Sequence, residues 1–252
     1  MARPFWRRAP GCLAGISRHM ALALTLAVVA AGRVDAQTTA PAPVGQAPGV
    51  MTKESQTAMT PAAALERLKE GNARFVGGQG ISRNLPAKVL ATAPGQYPFA
   101  AILSCMDSRA PVEILFDQTI GDVFSLRVAG NVVGRDLLGS LEYAMKLAGS
   151  KLILVLGHSN CGAVKGAIDG VELGNLTELL KKIGPAVVRP IPAAKSKDAA
   201  YVARVAEGNV HLALKEIREE SPVLKEMLDA GKIGLSGGMY DVETGKAVFY
   251  AD

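Results

Sequence analysis

Cysteine and histidine are scarce in this chain of 252 residues, with three of each, so every one of them can be weighed by its position. Long apolar runs are also missing. The longest, ALALTLAVVAA over 21–31, has 11 residues, whereas a helix that crosses a bilayer core needs about 20, which argues against a retained anchor. No internal repeat is visible, which excludes solenoid and propeller arrays. With 49% hydrophobic and 20% charged residues, the chain is long enough for one well-packed domain and short for two.

An excess of charge is missing once the N-terminus is set aside. Arg3, Arg7, Arg8 and Arg18 precede the apolar run, and V-D-A then leads to Gln37, the pattern of a secretory signal peptide over residues 1–36 with cleavage after Ala36. The expectation is an exported, periplasmic protein with no stable membrane anchor after cleavage. Cys12 precedes the apolar run, so it is not placed as a lipoprotein anchor, and Arg7–Arg8 hints at twin-arginine export. The segment carries five arginines against Asp35, so its removal takes four of the five net positive charges and leaves about +1. That balance gives no electrostatic ground for nucleic acid or a membrane surface as partner. Residues 37–58 are rich in Pro, Ala, Gly, Thr and Gln without apolar periodicity, which predicts a flexible linker before a domain over 59–252.

Within that domain, Thr60 followed by Pro61 predicts a capped helix over 61–76. The runs FAAILSC (99–105), DVFSLRV (122–128) and KLILVLGH (151–158) read as strands, with a crossover helix over 135–149 ending at Gly149. Strands apolar on both faces and alternating with helices predict an α/β fold with a mostly parallel sheet. Helices are expected over 162–170, 175–188 and 198–219, with a short one opening at Pro222. A strand, a turn at 243–245 and a final short strand at the sheet edge should close the chain.

Without the signal segment, Cys105, Cys161, His158 and His211 remain. Three of them stand at the C-terminal ends of predicted parallel strands, where open α/β sheets gather their ligands. Cys105 after the first strand can therefore meet His158 and Cys161 after the third, although 53 residues separate Cys105 from His158. Two thiolates and an imidazole suit zinc and leave a fourth position open, the mark of a catalytic site. Asp107 can fill or flank that position, and Arg109 in C-M-D-S-R can hold the carboxylate bidentately. His211, inside a predicted helix, is expected to face solvent or make a light hydrogen bond. Taken singly, the two cysteines suit a disulfide, His158 a core position and Asp107 with Arg109 an ion pair; the joint spacing favours a metal. GHSNCGAVK lacks the lysine that a phosphate-binding loop needs directly after its second glycine.

The pattern C-x-D-x-R followed by H-x-x-C, present as SCMDSR (104–109) and GHSNCGAVKG (157–166), resembles the signature of the β-carbonic anhydrases. The similarity continues through FDQTIGDVFSLRVAGNVV, LGSLEYA and GGMYDVETGK and covers about residues 60–250. The resemblance implies a β-carbonic anhydrase-like fold, a central mostly parallel sheet flanked by helices, with an N-terminal helical arm. It implies one Zn2+ per subunit on Cys105, His158 and Cys161, and reversible hydration of CO2 to bicarbonate and a proton by zinc-bound hydroxide. Asp107 and Arg109 are then the catalytic partners, in a homodimer or tetramer.

The active site is similar to the plant-type branch. That likeness places Gln96, Phe124, Tyr143 and Gly162 at the substrate pocket, often across a dimer interface, with Ala129 where a larger aliphatic residue can stand. The other branch carries a tryptophan three residues before its first cysteine ligand, where this chain has Ile102. The open form of the site is therefore expected, active chiefly at alkaline pH because two thiolates load the metal with negative charge. Two other functions would keep the same residues: a carbonyl sulfide or carbon disulfide hydrolase, and a non-catalytic zinc-binding protein.

Overall fold

Two continuously apolar runs become the central strands of the sheet. The computed structural model describes residues 49–250, so the signal peptide expected over 1–36 and most of the expected linker lie outside the described residues. In chain order, α1 (Lys53–Ala58), α2 (Pro61–Val76) and α3 (Leu85–Thr92) precede β1 (Ala100–Ser104). A short α4 (Val112–Leu115) leads to β2 (Val123–Arg127), and α5 (Arg135–Glu142) to β3 (Leu152–His158). Four helices follow, α6 (Gly162–Asp169), α7 (Gly174–Ile183), α8 (Ala199–Glu220) and α9 (Pro222–Asp229), before β4 (Gly234–Tyr240) and β5 (Ala247–Phe249).

The sheet order is β2-β1-β3-β4-β5, parallel except for β5, which pairs antiparallel with β4 at the edge. Every residue of β1 and β3 is buried. Because side chains alternate along a strand, Ala101, Leu103, Ile153 and Val155 pack against Val210, Ala213 and Ile217 of α8. Their neighbours Ala100, Ile102, Leu152 and Leu154 face Leu68 of α2 and Phe116 on the other side. Each valine, leucine or isoleucine among them contributes about 1.5–3 kcal/mol of burial. Near the end of β3, a Cβ on Gly157 would lie 2.6 Å from Val210 Cγ2 and 2.7 Å from Met239 Sδ, so glycine here lets α8 settle onto the strand.

Local signals place most helix ends. The Thr60 hydroxyl accepts the Ala63 N–H at 3.1 Å with Pro61 opening α2, and Asp198 and Ser221 cap α8 and α9 in the same way. Four stretches differ from the sequence expectation, the first being the helix expected over 175–188, which ends at Ile183 where Gly184–Ala186 tighten into a 3-10 turn around Pro185. Residues 53–58, expected as flexible linker, form α1: Thr52 and Ser55 make a capping box, and buried Gln56 donates through Nε2 to the carbonyls of Pro98 (2.7 Å) and Ala148 (2.9 Å). One polar side chain ties the arm to the core, which apolar periodicity cannot reveal. The helix expected over 135–149 changes after Glu142 into a π-turn over Tyr143–Leu147, closed by the Ala148 N–H on the Tyr143 carbonyl. Helix α3, capped by Asn84, falls in a stretch for which composition gave no element.

Asn72 joins α2 to the far edge of the sheet. Its Nδ2 donates to the carbonyls of Leu115 and Gly245, both at 3.0 Å, and its Oδ1 accepts the Ala247 N–H at 2.8 Å. Asn72→Ala would leave these backbone groups without their partner, each at about 1–3 kcal/mol if it stays buried. Urea unfolding is expected to show a loss of about 3 kcal/mol; a loss below about 0.5 kcal/mol would mean that water replaces the amide.

Candidate metal centre

Strand register builds the site. Ser104 pairs with Leu156, so the next residue of the first strand, Cys105, leaves the sheet beside Gly157 and one step from His158. The chain then turns through Ser159 and Asn160, the latter in the left-handed region (φ 59°) that asparagine tolerates. Cys161 follows as the N-cap residue of α6, where the helix dipole favours a thiolate.

Cys105, His158 and Cys161 are all buried, and one ligating atom from each lies within 4.8 Å of the others. The Sγ atoms are 4.0 Å apart and both thiols are free. A disulfide needs about 2.05 Å, whereas two sulfurs at about 2.3 Å from a tetrahedral zinc lie about 3.8 Å apart. The spacing fits a shared cation and not a covalent bond, so the disulfide alternative is set aside. His158 Nδ1 lies 2.8 Å from the Ser159 carbonyl, which fixes the tautomer with Nδ1–H donating and leaves the Nε2 lone pair free. That Nε2 is buried without a hydrogen-bond partner. An orphaned imidazole nitrogen beside two thiols fits a resident metal.

The electrostatics agree. With no cation the sulfurs share a proton: the Cys161 thiol, against the cost of burial and with help from the His158 imidazole and then the Gly130 N–H, brings Cys105 down to about 4. The proton stays on Cys161, whose pKa is pushed far up by Cys105 and by burial. Burial opposes charge on His158, but Cys105, the Ser159 carbonyl and Asp107 together raise its pKa.

Asp107 and Arg109 form the expected fork. Arg109 Nε donates to Oδ1 at 2.9 Å, Nη2 to Oδ2 at 2.8 Å, and its backbone N–H to Oδ1 at 2.9 Å. This guanidinium holds the Asp107 carboxyl well below the usual carboxylate range. Oδ2 lies 3.9 Å from His158 Nε2, so an ionised, immobilised carboxylate borders the cluster.

The other expected residues lie away from the cluster within one chain. Phe124 on edge strand β2 and Tyr143 on the π-turn meet edge-on, ring centroids 6.2 Å apart, with Phe124 packed against the core. Phe124 sits in register with Ala101, four residues short of the Cys105 level. Gln96 is exposed in the loop before β1, at the end of the strand opposite Cys105. Gly162 opens α6 beside Cys161, and a Cβ there would meet nothing within 4 Å. His211 stands apart from the cluster, exposed and stacked on Tyr250 at 4.8 Å.

Three further residues at the site escaped sequence reasoning. Arg127, at the end of β2, donates to the carbonyls of Cys105 (3.2 Å) and Asp107, bracing the C-M-D-S-R turn. Its signal was a lone cation at the C-terminal end of a predicted parallel strand. The Gly130 N–H donates to Cys105 Sγ at 3.3 Å, and Asn209 Nδ2 to the Gly130 carbonyl at 2.7 Å. Asn209 could be suspected as a polar residue inside the apolar stripe of a long helix.

Comparison with known proteins agrees with this geometry. The carbonic anhydrase family model matches residues 100–247. Carbonic anhydrase 2 of Mycobacterium tuberculosis is 35% identical over 195 residues, which cover 75% of this chain and 92% of that protein. The carbonic anhydrase of Mycolicibacterium smegmatis is 34% identical, covering 74% of this chain and 91% of its own. Among solved structures, a tetrameric β-carbonic anhydrase of Sordaria macrospora superposes with a TM-score of 0.61 at 25% identity, covering 73% of this chain and 94% of that one. A β-carbonic anhydrase of Aspergillus fumigatus gives 0.60 at 28% identity, covering 76% and 91%. A mostly parallel five-stranded sheet with a Cys-His-Cys cluster at its carboxyl end thus defines the class, and the chain belongs to the carbonic anhydrase family, in its β class. It is an enzyme of that family.

Arg109→Ala removes the largest of the effects that depress Asp107, so the carboxyl should move up towards its ordinary value near 3.9. Because the wild-type pKa is lowered, the stabilisation from this pair is present above that ordinary value and fades as pH falls through the depressed one. Carbon-13 NMR titration of the aspartate carboxyls checks the shift; an unmoved Asp107 would mean that Arg109 does not set its charge.

Proposed function

We propose that the protein catalyses the reversible hydration of CO2 to bicarbonate and a proton, with one zinc ion held by Cys105, His158 and Cys161. The observation that carries this reading is the buried, unpartnered His158 Nε2 beside two thiols 4.0 Å apart and a carboxylate locked by Arg109. A zinc ion held there supplies the Lewis acidity that makes a water molecule acidic near neutral pH. The chain does the rest. Asp107, kept ionised by Arg109, accepts through a free lone pair the hydrogen of the attacking O–H and aims its oxygen at CO2. Arg127 keeps the turn that carries both residues in place. Cys105 and Cys161 bring more negative charge than imidazoles would, which sets the active form at alkaline pH.

The plant-type branch is the reading for the site: Ile102, fully buried, stands where the other branch has tryptophan. Gln96 lies at the far end of β1 and the Phe124–Tyr143 pair on an outer edge, which supports a pocket completed by a second copy in a homodimer or tetramer. Export to the periplasm, with residues 1–36 removed, remains the proposal for location and rests on the N-terminal sequence.

Stopped-flow CO2 hydration by the chain from Gln37, with zinc quantified, tests the function. About one zinc per chain and turnover that rises towards alkaline pH are expected, both lost in Cys161→Ser. Zinc bound without CO2 turnover at any pH would contradict the proposal and move the substrate to carbonyl sulfide or carbon disulfide. Turnover that is flat down to mildly acidic pH would contradict the assignment of charge to the two thiolates.

A further inference from the structure

Asn209 lies on the buried face of α8, between Ala206 and Val210, and is itself 2% exposed. A primary amide in that setting costs stability unless it is bonded, and a leucine would serve the apolar stripe better. Its Nδ2 reaches the Gly130 carbonyl at 2.7 Å. From the other side of the same residue, the Gly130 N–H points at Cys105 Sγ, 3.3 Å away. Gly130 adopts the left-handed conformation (φ 68°, ψ 20°), and a Cβ there would lie 2.6 Å from Ile183 Cδ1. The turn is therefore held by its backbone alone, with a helix side chain on its carbonyl and a ligand sulfur on its amide.

We propose that Asn209 is a positioning residue for the metal centre: by anchoring the Gly130 carbonyl it fixes the Gly130 N–H on Cys105 Sγ and so tempers the charge that Cys105 donates. The inference rests on the metal-site reading above. A hydrogen bond to a thiolate withdraws electron density from sulfur and orients its remaining lone pairs. Without the anchor, the 129–131 turn is free to rotate its amide off the sulfur, which then donates more strongly and is held less firmly. A role confined to packing would stabilise α8 against the turn and leave the sulfur unaffected.

The test uses the full chain loaded with cobalt(II), whose sulfur-to-cobalt charge-transfer absorption reports the donor strength of the thiolates, in the wild type, Asn209→Leu and Asn209→Ala. Leucine removes the donor and keeps the bulk, while alanine removes both. The band is expected to move to longer wavelength in both variants, and metal loss to a chelator to be about tenfold faster. A lowered Tm with band and loss rate unchanged would overturn the inference and leave Asn209 a packing residue.

The wild type carries an independent arm that does not depend on the folding of any variant. Loaded with cadmium-113, it should show coupling between the metal nucleus and the Gly130 amide proton through the N–H···S bond. Absence of that coupling in protein that holds cadmium overturns the inference alone. A wild type that takes up neither cobalt nor cadmium overturns the metal reading, and this inference with it.

Discussion

The parallel, in-register pairing of β1 with β3 is the constraint on which everything else in this molecule depends. Ala100 opposite Leu152 and Ser104 opposite Leu156 leave Cys105 and His158 at neighbouring exits from the sheet. A shift of one residue would turn every side chain of a strand to the wrong face. Both faces are buried, so the apolar sets that meet α8 on one side and α2 on the other specify the register strongly. The chemistry inherits its precision from that packing. Gly157 contributes by its missing side chain, since α8 could not otherwise approach the strand that delivers His158.

The cluster itself is not at rest as bare protein. A buried imidazole nitrogen without a partner and two buried thiols that share a proton are a costly arrangement in an otherwise apolar interior. A divalent cation would resolve both at once by replacing the shared proton and accepting the orphaned lone pair, which would make metal binding and local stability one free-energy statement. The surrounding contacts suit that role: the Ser159 carbonyl fixes the imidazole tautomer, the Gly130 amide faces one sulfur, and a helix N-terminus faces the other. Asp107 differs from the three cluster residues because its charge is already compensated by Arg109. It can stay ionised at the border of the cluster.

How far the sequence discloses this molecule follows from what is local. Strand cores, capped helix starts and the C-M-D-S-R and H-S-N-C spacings are written in neighbouring residues, and the structure sets them within a residue or two of their expected places. Gln56, Asn72, Arg127 and Asn209 act on backbone carbonyls far along the chain, and a polar side chain does not announce which carbonyl it will meet. For the same reason the arm helix α1 was hidden in a stretch that composition marks as linker, and the π-turn in a helix with ordinary periodicity. Gln96, Phe124 and Tyr143 show the reverse case. The resemblance assigns them to one pocket with the cluster, and within a single chain only Phe124 and Tyr143 meet, because joining the pair to the cluster, on the proposed reading, takes a second subunit.

The central claim is that Cys105, His158 and Cys161 jointly hold one metal and leave one coordination position to solvent. X-ray absorption at the zinc edge of the purified, unmodified protein tests it most directly. The account predicts two sulfur neighbours at about 2.3 Å and two nitrogen or oxygen neighbours at about 2.0 Å. A first shell without sulfur, or a metal-free protein in which Cys105 and Cys161 are joined as a disulfide, would contradict it.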